Sequence, residues 1–209
     1  MTAADAPEMK STFAQSSHLK KGEDVNLHTI DPALHRVIVG VGWDAPAERE
    51  GFPVDLDASA FILNRDGKVR RDTDFVFYNN LETENGQLKH LGDNTSGEGD
   101  GDDEKIHIDL EALSYDIEKI AFTVTIHNAS ERQQSFGFIK NAFIRIINED
   151  TGVEVAWFDL SEDASTDNAI LFGELSRDGV QWRFKAMGDS HNGGLYRIAK
   201  ALGVNVAAS

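Results

Sequence analysis

Two neighbouring stretches of this chain alternate with a period of two. Ile106, Ile108 and Leu110 alternate with His107, Asp109 and Glu111, and Ile120, Phe122, Val124 and Ile126 alternate with Ala121, Thr123, Thr125 and His127. That spacing puts one set of side chains on one face of a strand and the other set on the opposite face, whereas a helix would scatter both sets around its axis. Further strand patterns surround them: the β-branched run Val37 to Val41, Val54 to Leu63, Phe75 to Tyr78, Ala142 to Ile147, Gly152 to Phe158, Ile170 to Leu175 and Val180 to Ala186. Asn64-Arg65-Asp66-Gly67, Asn148-Glu149-Asp150-Thr151 and Arg177-Asp178-Gly179 supply hairpin turns between them. Only the tail is patterned as a helix, with Leu195, Ile198, Ala199 and Leu202 on one face and Gly203 placed to end it. Many short strands, no long helices between them and no repeat predict an all-β fold: an antiparallel β-sandwich with short peripheral helices and a C-terminal helix.

With 209 residues the chain is long enough for one domain with a sizeable core. Residues 1–16 are polar and lack apolar periodicity, so they are expected to be a disordered leader, with a single domain over residues 17–209. The chain carries 20 Lys and Arg against 36 Asp and Glu, and its basic residues are scattered, so nucleic acid is not an expected partner. The absence of cysteine removes thiolate metal sites and disulfides and favours a reducing compartment. With no apolar signal segment and no run of eighteen apolar residues, the expected location is the cytoplasm, without membrane insertion.

The thirteen residues Gly92 to Glu104 hold six carboxylates, four glycines and no basic side chain. Carboxylates this close repel one another, and the glycines remove the side chains that would pack such a loop. A hard cation would order it, because calcium accepts six to eight oxygens from carboxylates, amides and backbone carbonyls. The spacing is not that of an EF-hand: counting from Asp93, the third and fifth places are Thr95 and Gly97, and Glu98 stands where the sharp turn needs glycine. The seven histidines show no two-histidine metal spacing, and His107 and His127 read as exposed strand residues, which disfavours zinc and copper.

Several motifs, taken in order, carry a resemblance. Gly40-Val41-Gly42-Trp43-Asp44, Asp55-Leu56-Asp57-Ala58-Ser59-Ala60-Phe61, Phe75 to Asn80, the acidic loop, and Phe158 to Ser165 together resemble the TerD family, the tellurium-resistance and stress-response proteins of bacteria and their calcium-binding relatives. The match runs from about Ser17 to Val206 and departs at Thr95-Ser96, where the family more often has an apolar residue followed by Thr. The resemblance implies a β-sandwich holding calcium, two ions, through loops at one end. On this reading the metal ligands come from Asp55, Asp57, Asn80, Asp93, Asn94, Glu98, Asp100, Asp102, Asp103 and Glu104. It also implies a non-enzymatic role in tellurite resistance and stress, through other TerD-family proteins or a membrane-associated stress complex. Two other functions compete: a calcium-dependent carbohydrate or peptide recognition module, and a metal-dependent hydrolase built on paired carboxylates. The hydrolase lacks a His, Lys or Arg positioned in sequence beside the acids.

Overall fold

The computed structural model describes residues 16–44, 54–92, 101–160 and 166–206. Two six-stranded sheets face each other. The first contains β1 (Ser17–Leu19), β3 (Arg36–Asp44), β6 (Leu88–His90), β7 (Glu104–Asp109), β9 (Lys140–Asn148) and β10 (Glu154–Asp159), in the order β1-β10-β9-β3-β7-β6. The second contains β2 (Asp24–Asn26), β4 (Leu56–Leu63), β5 (Phe75–Val76), β8 (Lys119–Ile126), β11 (Ala169–Asp178) and β12 (Gln181–His191), in the order β2-β12-β11-β8-β4-β5. The expected antiparallel sandwich is present, with one exception: edge strand β1 runs parallel to β10, with Ser17 opposite Ala156. The turn at Lys21 to Glu23 therefore passes the chain from one sheet to the other.

The period of two places the core as the sequence predicts. Val37, Val39 and Val41 of β3, Ile106 and Ile108 of β7, Leu56, Ala58, Ala60 and Ile62 of β4, and Ile120, Phe122, Val124 and Ile126 of β8 fill the space between the sheets. Burying each Leu, Ile, Val or Phe there contributes about 1.5–3 kcal/mol. All three predicted turns close antiparallel pairs: β4 with β5, β9 with β10, and β11 with β12.

Three short α-helices stand among the described residues: α1 (Leu27–Ile30) and α2 (Ala129–Arg132), which add Leu27 and Ala129 to this core, and α3 (Gly194–Ala201). The apolar face of α3 buries Ile198 and Ala199 against Phe61, Leu63, Phe75 and Ala121, which point away from the main core. The second sheet thus has apolar side chains on both faces, which is why β4 is buried along its whole length.

Register defines two ends of the sandwich. Val41 of β3 pairs with Glu104 at the start of β7, and Arg36 pairs with Asp109 at its finish, so β7 leads from the acidic loop to the opposite end over about 20 Å. In the other sheet Leu56 of β4 pairs with Ile126 at the acidic end and Leu63 pairs with Lys119 at the other.

Candidate metal centre

The last residues of the acidic loop are seated on β3. The N–H of Asp103 donates to the Val41 carbonyl at 2.8 Å, and its carboxylate accepts from the Trp43 N–H at 2.9 Å. Asp102 lies over Gly40, and its Oδ1 accepts from Arg145 Nε at 2.6 Å. This seat exists because two residues of β3 lack side chains. A Cβ on Gly40 would stand 2.4 Å from the Asp102 Cγ, and one on Gly42 would stand 2.6 Å from the Gly101 carbonyl oxygen. Gly40-Val41-Gly42 is therefore a strand shaped to receive the end of the loop.

Glu104 projects from β7 into the space between the sheets and is 1% exposed. Its Oε2 accepts from the N–H of Ala58 in β4 and lies 3.5 Å from His90 Nε2. β5 pairs only with Ala60 and Phe61, so beyond its end the glutamate takes up a β4 amide that no strand reaches. The acidic loop and the Asp55-x-Asp57 segment, far apart in sequence, are thereby joined across the two sheets. Asp55 and Asp57 are 7% and 5% exposed. Asp57 belongs to the outer-facing side of β4, and its Oδ2 lies 3.0 Å from His127 Nδ1. His127 packs edge-on against Tyr78, with ring centroids 5.7 Å apart, so the end of the β5 segment reaches the same corner. A cleft of about 450 Å³ opens there between Asp57, Tyr78, His127 and the start of α3.

Asp103 has a visibly perturbed proton affinity. Burial pushes its carboxyl above the usual range, the Trp43 amide opposes that shift, and the charges of Asp102 and Asp44 add to it. A carboxylate crowded by two others is held in its charged form more readily when a cation is near.

The predicted site residues divide as follows. Asp55, Asp57, Asp102, Asp103 and Glu104 stand at one end of the sandwich, with Glu104 and Asp57 at adjacent positions of the same contact. Asn80 turns its amide to the backbone, donating to the Phe75 carbonyl at 2.6 Å. Asp93, Asn94, Glu98 and Asp100 lie outside the described residues. Among the described residues, no three of His, Cys, Asp and Glu form a group able to hold a metal ion. The donor set at this end is nevertheless chemically suited to a hard cation: carboxylate oxygens, largely buried, on segments that meet.

One expectation is corrected. His127 and His107 are not exposed strand residues: His127 is bound to Asp57, and His107, its side chain 16% exposed, lies 2.9 Å from Glu149. A lone histidine on the polar side of a strand carries no sign of which carboxylate the neighbouring strand will bring to it. Arg145 and His90 were also missed, because each acts on an acid more than ten residues away.

Comparison with known proteins identifies the family. Residues 16–202 match the TerD domain. The chain is 50% identical over 192 residues to tellurium resistance protein TerD of Serratia marcescens, covering 92% of this chain and all of that one. It is 46% identical over 188 residues to general stress protein 16U of Bacillus subtilis (strain 168), covering 90% of this chain and 97% of that one. A crystal structure of a homologue of telluride resistance protein TerD from Streptomyces coelicolor A3(2) superposes with a TM-score of 0.66 at 21% identity, over 80% of this chain and 96% of that one, and so shares the fold. Matched over nearly its whole length, the chain belongs to the TerD family.

Proposed function

We propose that this chain is a calcium-binding protein of the TerD type that serves tellurite resistance and the general stress response by presenting an ion-ordered surface to protein partners. The observation that carries the reading is the contact of Glu104 with the Ala58 amide, which joins the acidic loop to Asp55-x-Asp57. Asp55, Asp57, Asp103 and Glu104 would hold calcium, two ions in all, together with oxygens of the loop. Asp102, held by Arg145, would fix the end of the loop on β3. Bound calcium supplies positive charge that offsets the repulsion among these acids; it is not asked to activate a substrate.

On this reading the chain is not an enzyme. Its partners are calcium and other TerD-family proteins or a membrane-associated stress complex, and it works in the cytoplasm. Among the described residues no helix is long and apolar enough to cross a membrane. The relatives named above carry tellurium resistance and stress in their names, which supports the biological setting. Calorimetric titration with calcium, paired with thermal melts in calcium and in chelator, tests the proposal. Calcium at one hundred times its Kd should add about 2.7 kcal/mol of stability. No heat of binding, with a melt indifferent to chelation, would overturn it.

A further inference from the structure

A second cleft lies at the opposite end of the sandwich from the acidic loop. It has a volume of about 430 Å³ and opens between α1, the turn from β7 to β8 and the β11–β12 hairpin. That is within the range of sites that enclose small organic ligands.

Arg177 reaches into this cleft. Its Nε donates to the Ile117 carbonyl at 2.9 Å, and its Nη2 donates to the carbonyls of Leu113 and Ser114 at 3.3 and 3.2 Å. Its guanidinium lies over the rings of Trp182, at 4.5 Å, and Tyr115, at 5.4 Å. Nη1 makes no hydrogen bond among the described residues, and no carboxylate there lies within ion-pair distance of the group. Elsewhere Arg36, Arg65, Arg70, Arg71, Arg145 and Arg183 each face a carboxylate. A guanidinium fixed by carbonyls and rings, with an N–H to spare, is a donor that a carboxylate fits.

The rest of the cleft specifies what should carry that acid. Tyr115 and Val180 at its mouth are 80% and 79% exposed, and Leu34, Leu110 and Leu113 are buried beneath. His28 lines the same space. Its Nδ1 accepts from the Trp182 N–H at 3.4 Å, and burial holds its pKa down against a hydrogen bond to the Leu34 backbone, so the ring is already engaged as part of the cleft wall. Glu111, the acid on the rim, is already engaged by His35 at 2.7 Å.

We infer that this cleft binds a carboxylate borne on an aromatic or branched apolar group, with Arg177 Nη1 as the donor and Tyr115 and Val180 as its apolar wall. The acid is either a small free molecule or the last residue of a polypeptide. The two share the same chemistry here.

NMR titration of the full chain, followed at the Arg177 Nε–H and the backbone amides of Leu113 and Trp182, tests the assignment. N-acetyl-phenylalanine should give saturable shifts with a Kd of about 1 mM or tighter. Its neutral amide should bind at least about tenfold more weakly, since a bidentate or charge-assisted contact is lost. A hexapeptide ending in a free Phe that binds more tightly than the single residue identifies a polypeptide terminus as the ligand; weaker binding identifies a small acid. Arg177→Gln should abolish binding. Because Arg177 also holds the β7–β8 turn, Tyr115→Ala is the second variant: it should weaken binding several-fold with an unchanged melting temperature. Equal binding of acid and amide, or no saturable shift at these three positions, overturns the inference.

Discussion

The two ends of the sandwich bury their deepest carboxylates with different partners. At the end away from the acidic loop, Asp74 is 3% exposed and is closed by Arg70, whose Nε and Nη2 donate to it at 2.8 and 3.1 Å, with Arg71 at 3.6 Å. Arg70 also binds Asp116 at 2.8 Å. At the loop end, Glu104 is still more deeply buried, and among its partners are a backbone amide and an imidazole. A guanidinium neutralises a carboxylate and locks it; an amide orients one without cancelling its charge. One end is therefore finished by the chain's own cations. At the other, Arg145 takes Asp102 while Glu104 meets an amide and an imidazole, an arrangement of neighbouring acids that suits a cation from solution.

The largest expected effect breaks the finished end. Arg70→Ala should destabilise the chelated protein by about 3–5 kcal/mol in urea unfolding, because it removes the main partner of a buried Asp74, and should leave the calcium isotherm unchanged. If calcium binding falls with it, the two ends are not independent. Glu104→Gln makes the converse test. The amide oxygen still accepts from Ala58, so the chelated protein should lose only about 1 kcal/mol, while most of the calcium-dependent gain of about 2–3 kcal/mol disappears.

Asp57→Ala and Asp102→Ala should each weaken calcium binding about tenfold, or about 1.4 kcal/mol, by separate routes. The first removes a carboxylate on β4; the second releases the end of the loop from Arg145. An unchanged titration for Asp57→Ala would show that the loop acts alone. Gly40→Ala sharpens the point without touching a charge. Its Cβ would collide with Asp102, so the variant should lose about 1–2 kcal/mol of stability and some calcium affinity in parallel.

The smallest effect is in pH. Asp116, bonded to the Ser114 hydroxyl and then to Arg70, has its pKa lowered to about 2, so the stability it contributes is complete above its unfolded value near 3.8 and is lost as pH falls towards 2. Asp103 has its pKa raised by burial, so in chelator its contribution is present at low pH and is lost as pH rises through its folded value. Comparing melts of Asp103→Asn and Asp116→Asn with the parent across pH 2 to 6 should give slopes of opposite sign.

Most of the frame is legible in the residues. The alternations in β7 and β8, the three turns and the apolar face of α3 are local patterns, and each yields the element it predicts. The strand pairings that the turns close were readable for the same reason. The parallel pairing of β1 with β10 was not: the turn at Lys21 to Glu23 marks a short strand before it, but nothing local says which sheet edge that strand joins. Within the site, Asp55, Asp57 and the acidic loop were readable as carboxylate motifs and by resemblance. The histidines were misread, since His127 and Asp57 are 70 residues apart and only the pairing of β4 with β8 makes them neighbours.

By itself the sequence determined that this chain makes a sandwich and that a loop rich in carboxylates and glycine interrupts it, because side-chain periodicity and local charge are properties of consecutive residues. Only the tertiary structure decided what those acids meet. Register put Arg145 beside Gly40, leaving Asp102 room to lie over that strand and bind the arginine. The short reach of β5 left the Ala58 amide for Glu104. The fold of the far end wrapped carbonyls and aromatic rings around Arg177 without bringing it an acid. Contacts of this kind depend on which strands lie side by side and where each one stops, and that is settled by packing the whole core at once.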